Sequence, residues 1–179
     1  GGTGSGNDAE QTTPANQPTI YTGGALVKEG GRLALDFDGS NDFLALSSVV
    51  IHGTIGRTIF SVINADAQSN DGIVALNTGS ASSGGNYNLT SEPVLRVSGG
   101  NQSWSGADLS NQTLMTLTLP DNSGVDDANL YLNSSLVSNV STTTTTINTS
   151  NQGATQIGAF ATTTFDGNIQ EVLLYASDK

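Results

Sequence analysis

Along most of the chain, apolar and polar residues alternate with a period of two, which sends successive side chains to opposite faces of a β-strand. In RLALDFD (residues 32–38), Leu33, Leu35 and Phe37 share one face, and Arg32, Asp36 and Asp38 share the other. In TLMTLTL (113–119), Met115, Leu117 and Leu119 oppose Leu114, Thr116 and Thr118. RTIFSVIN, DGIVALN, PVLRVS, ANLYLNSSLVS, TQIGAF and NIQEVLLY add further short β-rich runs. Gly, Asn, Asp and Ser clusters separate them, often at the spacing of roughly 8–12 residues that marks all-β domains. No segment sustains i, i+3, i+4, i+7 spacing, so no helix is expected. Roughly a dozen strands joined by polar turns predict an all-β fold, an antiparallel sandwich of two sheets.

Residues 1–17 are polar and Gly-rich and read as an irregular lead-in to a single domain over residues 18–179. The threonine run at 142–146 reads as an exposed strand or loop, because Thr tolerates β geometry and water equally well.

Composition narrows the function. At 179 residues the chain is long enough for a proper core. Charged residues make up 12%, about half of the usual share of roughly 25%. Ser and Thr together number 43, so hydroxyls and amides cover the surface in place of ion pairs. A net charge of −11 with five scattered cations excludes nucleic acid and anionic membrane surfaces, which need a basic face. There is no cysteine, hence no disulfide, and no apolar run long enough for a membrane-spanning helix. An acidic, hydroxyl-rich surface fits neutral polysaccharide, a divalent cation or another protein. The start at Gly1 in place of Met is expected of a processed, truncated or engineered end, and is open to one module of a larger protein.

Two longer patterns are specific. GSGNDAEQTTPANQPTIYTGGALVKEGGRLALDFDGSNDFLAL (4–46) has a Gly-Asn-rich start, a Gln-Pro-x-Ile step and a Phe-Asp-Gly-x-Asn-Asp-Phe hairpin. IGAFATTTFDGNIQEVLLYASDK (157–179) leads an Ile-Gly strand through Phe-x-Gly to a last strand ending in Tyr, and NLYLNSSLV lies before it. Together they resemble laminin G-like, concanavalin A-like jelly-roll domains of bacterial and phage type, over about residues 4–178. The resemblance implies an antiparallel two-sheet jelly roll. It implies less about function, since such domains include glycan binders, adhesion modules and accessory domains of enzymes. Related sequences carry an aromatic-Asp-Gln-Ser stretch before the Gly-Asn segment, where this chain has Gly1-Gly2-Thr3. A first strand is therefore expected to be missing or supplied from elsewhere, leaving an edge open to pairing.

Candidate chemistry is sparse. Asp38-Gly39-Ser40-Asn41-Asp42 supports two readings: a turn capped by its own Asp and Asn side chains, or a calcium loop of hard oxygen ligands. In the resembling fold the first and last strands are neighbours, so Asp166 would join Asp38, Asn41 and Asp42 around Ca²⁺. Asp36 and Asp38 are two apart on one strand face, but alternation puts acids outward by default and nothing marks a catalytic cleft. His52 is the sole histidine, and there is no nucleophile elbow, phosphate loop or dinucleotide fingerprint. An enzyme is not expected. For sugar contact the candidates are Trp104 with Asn101 and Gln102, and Tyr87 with Asn86, all in Gly/Ser/Asn-rich segments. The alternative is that both rings close the end of the sandwich. Tyr131 and Tyr175 are expected to be packing residues.

The leading expectation is a non-catalytic carbohydrate-binding or adhesion module of a secreted, cell-surface or virion protein, assisted by calcium. The rival is a structural subunit, such as a phage capsid decoration, tail or surface-filament protein, which contacts virion or filament proteins or forms a homo-oligomer. A third is an ancillary domain of a larger hydrolase.

Overall fold

The computed structural model describes residues 8–79, 82–140 and 143–177. Residues 1–7 of the lead-in and Thr142 of the threonine run lie outside them. Two sheets face each other as a jelly-roll sandwich. The front sheet runs Ala9–Glu10, Leu44–Leu46, Thr155–Ile157, Gly72–Leu76, Tyr87–Thr90, Val94–Val97, Gly100–Ser103, with a small hairpin, Ala159–Phe160 and Thr163–Thr164, attached beside Gly72. The back sheet runs Ser135–Leu136, Asn129–Leu132, Thr113–Leu119, Arg57–Ala65, Asp166–Tyr175, Leu35–Asp38. Among the described residues every pairing is antiparallel except a bridge between Thr164 and Gly72.

Register fixes which residues face inward. On the front sheet Leu44, Ile157, Val74, Leu89, Leu95 and Gln102 are successive partners across six strands. Val74, Leu89 and Leu95 belong to the core, where they meet Ile59, Ile63, Met115, Leu117 and Leu130 of the back sheet. The adjacent register row therefore points away from the core: Ala45, Gln156, Ala75, Asn88, Arg96 and Asn101. Phe37 meets Phe165 edge-on at 6.1 Å between centroids. Gly158, at φ +80°, lets the Phe37 ring pass where a Cβ would lie 2.1 Å from its Cε1, so only glycine fits.

Two expectations change. Ala9–Glu10 pairs with Leu46 and Ala45, so the lead-in is part of the front sheet from residue 9; a short strand ending in an exposed glutamate suits a sheet edge. Leu33 does not share the buried face with Phe37. It is 54% exposed, because Arg32–Leu33 pairs with Lys28–Glu29 in a hairpin outside both sheets.

Candidate functional site

The outward row of the front sheet is polar. Asn88, Arg96 and Asn101 are consecutive cross-strand neighbours, and Gln156 lies two strands from Asn88 across Ala75. Neighbours in such a row stand about 4.8 Å apart, so four hydrogen-bonding side chains cross five strands in a line. Asn88 is fully buried, and it forms the floor between the half-buried Gln156 and Arg96. Its Nδ2 donates to the Arg96 carbonyl at 3.5 Å, yet its Oδ1 has no partner, nor do Gln156 Oε1 and Arg96 Nε. All three atoms lie beneath the surface of this face, as the unpartnered Tyr87 Oη, Ser61 Oγ and Gln102 amide atoms lie in the core. The groups this face offers to solvent are the exposed Asn101 and the half-buried Gln156 and Arg96. Arg96 is held by Glu92 at 2.8 Å and is not a free cation.

The row opens onto a groove at the near edge of the sheet. Asp8, Glu10, Thr12, Phe43, Ala45, Ser47 and Ala154 surround about 510 Å³, and Ala45 is the register partner of Gln156. Phe43 is half-buried and offers an aromatic face among hydroxyls and carboxylates. The chain holds it there by two bonds: its N–H donates to the Asn16 carbonyl at 3.2 Å, and its carbonyl accepts from Gln11 Nε2 at 3.3 Å.

The expected sugar-contact residues divide by parity. Tyr87 and Gln102 have no exposure and Trp104 has 5%, so all three turn into the core and none reaches solvent as expected. Tyr87 lies against the Arg57 guanidinium, 4.9 Å from the ring centroid, and burial pushes its phenol well above the ordinary range. Arg57 is itself fully buried; it donates to Thr149 Oγ1 at 2.6 Å and to the Gly53 and Ile55 carbonyls. Asn86 and Asn101 do face outward: Asn86 Oδ1 accepts from the Ser98 N–H, and Asn101 ends the polar row. Composition and motifs do not single out Asn88, Arg96 or Gln156, and Phe43 enters the sequence reading only as the last residue of the Phe-Asp-Gly-x-Asn-Asp-Phe hairpin. Alternation in Asn86-Tyr87-Asn88-Leu89 carries the signal for Asn88: with Leu89 inward, Tyr87 must be inward and both asparagines outward.

Tyr131 and Tyr175 also depart from expectation. They stand on the outer face of the back sheet, with Tyr175 42% exposed and edge-on to Phe60 at 5.9 Å. Phe60, Leu114, Thr116, Thr118, Asn129 and Tyr131 line a second groove there, of about 470 Å³.

The acidic hairpin is built as a turn. Asp38 Oδ1 accepts the Ser40 and Asn41 N–H groups at 2.8 and 3.2 Å, and Asp42 Oδ2 accepts the Asp38 N–H at 3.1 Å. Gly39 takes φ +68°. Those amides, Ser40 first, hold the Asp38 carboxyl below the usual range. Asp166 does pack beside the turn, opposite Asp38 in register, whereas Asn41 is exposed. Two residues further in, Asp36, Asn168 and Asn64 form an outward row, and both asparagine Oδ1 atoms are without partners. Burial raises Asp36, Asp42 and Asp166; the Asp66 charge adds to Asp36 and Asp166, and the Asp38 charge to Asp42. Among the described residues no three acidic or histidine side chains are grouped to hold a metal ion. An ion here would need amide as well as carboxylate oxygens.

No protein-family model matches the chain, and no curated protein matches it. Solved structures do. Domain 4 of AbnA, a GH43 extracellular arabinanase from Geobacillus stearothermophilus, solved with arabinotriose, superposes with a TM-score of 0.63 at 13% identity, covering 91% of this chain and 80% of that one. Trypanosoma rangeli sialidase with 2,3-difluoro-KDN gives a TM-score of 0.53 at 14% identity, over 87% of this chain and 26% of the sialidase. The chain thus spans about a quarter of the sialidase's length. At these identities what is shared is the β-sandwich fold.

Proposed function

We propose that the chain is a non-catalytic carbohydrate-binding module of the laminin G-like type, whose glycan face is the outer surface of the front sheet. The observation that carries this is the outward polar row of Gln156, Asn88, Arg96 and Asn101, continuous with the Phe43 groove. Amide and guanidinium groups bond sugar hydroxyls, and an aromatic face receives their C–H surface. The arabinotriose bound to the arabinanase domain supports a sugar as ligand. A secreted, cell-surface or virion protein is the setting that suits such a module. The test is a glycan array of neutral oligosaccharides, followed by calorimetry with arabinotriose and the best array hit. Gln156→Ala and Asn101→Ala should each weaken binding about 3- to 10-fold, the worth of one neutral hydrogen bond. A blank array, or variants that bind as the wild type does, would overturn the assignment.

Calcium belongs to this reading as a structural aid. The oxygens open to it are those of Asp36, Asp166, Asn168 and Asn64, more than those of Asp38 and Asp42, which already hold the turn. Hard oxygen donors beside mutually repelling carboxylates are calcium chemistry. Calcium should raise the thermal unfolding temperature by several degrees over a chelator control if it saturates such a site, and Asp166→Ala should abolish the rise. An unchanged unfolding temperature would leave the cluster as turn and strand only.

The structural-subunit reading has its own support in Leu136, Leu173 and Tyr175, which are 63%, 40% and 42% exposed on the back sheet.

A further inference from the structure

One strand of the back sheet is covered along only half its length. Leu35–Asp38 pairs with residues 166–169 of Asp166–Tyr175, whereas residues 171–175 pair with Arg57–Ala65 alone. Among the described residues no other strand occupies that side. The register shift at Gln170 begins the open stretch, and the Gln170 side chain closes its near end by donating to the Glu29 carbonyl at 2.8 Å. Beside it the two sheets part around an apolar cleft of about 360 Å³, lined by Ala9, Leu46, Val50, Ile157, Val172 and Leu174. An uncovered row of backbone donors and acceptors next to apolar side chains is a template for another strand.

We propose that the occupant is the same edge of a second copy, paired antiparallel about a two-fold axis through Leu173. A two-fold axis perpendicular to the sheet sets residues of like face opposite one another. Centred on Leu173, it places Leu173 against Leu173 of the second copy, Val172 against Leu174, and Glu171 against Tyr175. The only carboxylate in the stretch then meets a phenol that can donate to it, and no like charges are opposed. Centring on Val172 would set Glu171 against Leu173 and bring the irregular Gln170 into the ladder. The stretch is thus self-complementary about Leu173: its one carboxylate meets a hydrogen-bond donor and its apolar residues meet one another, which favours a second copy in this register over the one centred on Val172. The pairing also covers Leu173 and Tyr175, the exposed apolar residues of this strand.

Such a dimer joins two back sheets into one and leaves both front sheets on the same side. If the carbohydrate reading holds, and only then, the pair presents two glycan faces to one surface and gains avidity. Each copy carries −11, so screening their repulsion should tighten the pair. An edge contact of this size falls at the small end of interfaces, with affinity in the micromolar range.

Sedimentation equilibrium across micromolar to millimolar protein, at low and high salt, tests the pairing without any sugar. The expected result is a reversible monomer–dimer equilibrium that shifts toward dimer with salt. L173K and L173E should each be monomeric, and their equimolar mixture should dimerise again, because residue 173 faces itself. In the wild type, amide exchange at residues 171–175 should slow as concentration rises, a readout that needs no variant to fold. A monomer at every concentration, which would leave the edge to a strand of another protein, overturns the proposal. So does a dimer that survives L173K, or exchange at 171–175 that ignores concentration.

Discussion

Asp36 shows what a single side chain costs this fold. It lies on the outward row of the back sheet opposite Asn168, and burial, with Asp66, Asp42, Asp166 and Asp38 around it, raises its carboxyl above the ordinary value. An aspartate whose folded pKa is raised opposes folding when ionised. Its contribution becomes more favourable as pH falls through the folded value, until the unfolded chain also protonates near about 3.9. Asp42 and Asp166 share that direction. Asp38 has the opposite sign: its lowered value gives stability above the unfolded pKa that is lost as pH falls through the folded one. Stability should therefore peak on the mildly acidic side of neutrality. Asp36→Asn keeps the shape and removes the charge, so at pH 7 in chelator it should raise the unfolding temperature by on the order of 2–4 °C per kcal/mol of repulsion relieved. The gain should vanish near pH 2.5, well below the unfolded value of about 3.9, where the wild-type carboxyl is neutral in both states. Scanning calorimetry of the two proteins at both pH values decides this, and an unchanged or lower melting point at pH 7 would refute it.

At the scale of strands, alternation alone makes much of the fold legible. RTIFSVIN, DGIVALN, PVLRVS and TLMTLTL lie on the strands Arg57–Ala65, Gly72–Leu76, Val94–Val97 and Thr113–Leu119. Composition misleads where it competes with alternation. Tyr87 and Trp104 sit in Gly/Ser/Asn-rich segments that look like loops, yet one opens a buried strand and the other bridges to Asn139 just beyond the strand Gly100–Ser103. A ring too large to leave in water takes the inward position, and the small polar residues beside it take the outward one. Strand order is beyond reach for a different reason. Thr155–Ile157 inserts between Leu44–Leu46 and Gly72–Leu76, a contact over some hundred residues of sequence that no local pattern encodes. The polar row depends on that insertion, since Gln156 comes from the late strand and Asn88 and Arg96 from a hairpin in the middle. The acidic hairpin, by contrast, is readable as a turn from Asp38, Gly39 and Asp42 alone, because its bonds are local. What its sequence hides is the setting of Asp36, which burial, Asn168 opposite it and Asp66 just past the end of another strand bring about.

For the whole molecule, the charge balance decides which glycans the front sheet can hold. Of the cations among the described residues, Arg57 is buried and Arg96 is paired with Glu92. That leaves Lys28 and Arg32, both in the hairpin outside the sheets. The rest of the surface is acidic, and Asp8 and Glu10 stand at the mouth of the Phe43 groove. A polymer of uronic acids approaching that face meets repulsion over a range of about 10 Å at moderate salt, with no free cation on the polar row to offset it. A neutral polysaccharide meets amides, hydroxyls and one aromatic ring, whose bonds depend little on ionic strength. Affinity for a neutral ligand should thus stay within about twofold between low and high salt, measured with the monomeric L173K variant so that dimerisation does not enter. A uronic-acid polymer should fail to bind at low salt. A steep loss of neutral-glycan affinity with salt would mean that recognition depends on charged groups of the protein, and the uncharged amides of the polar row would no longer account for it.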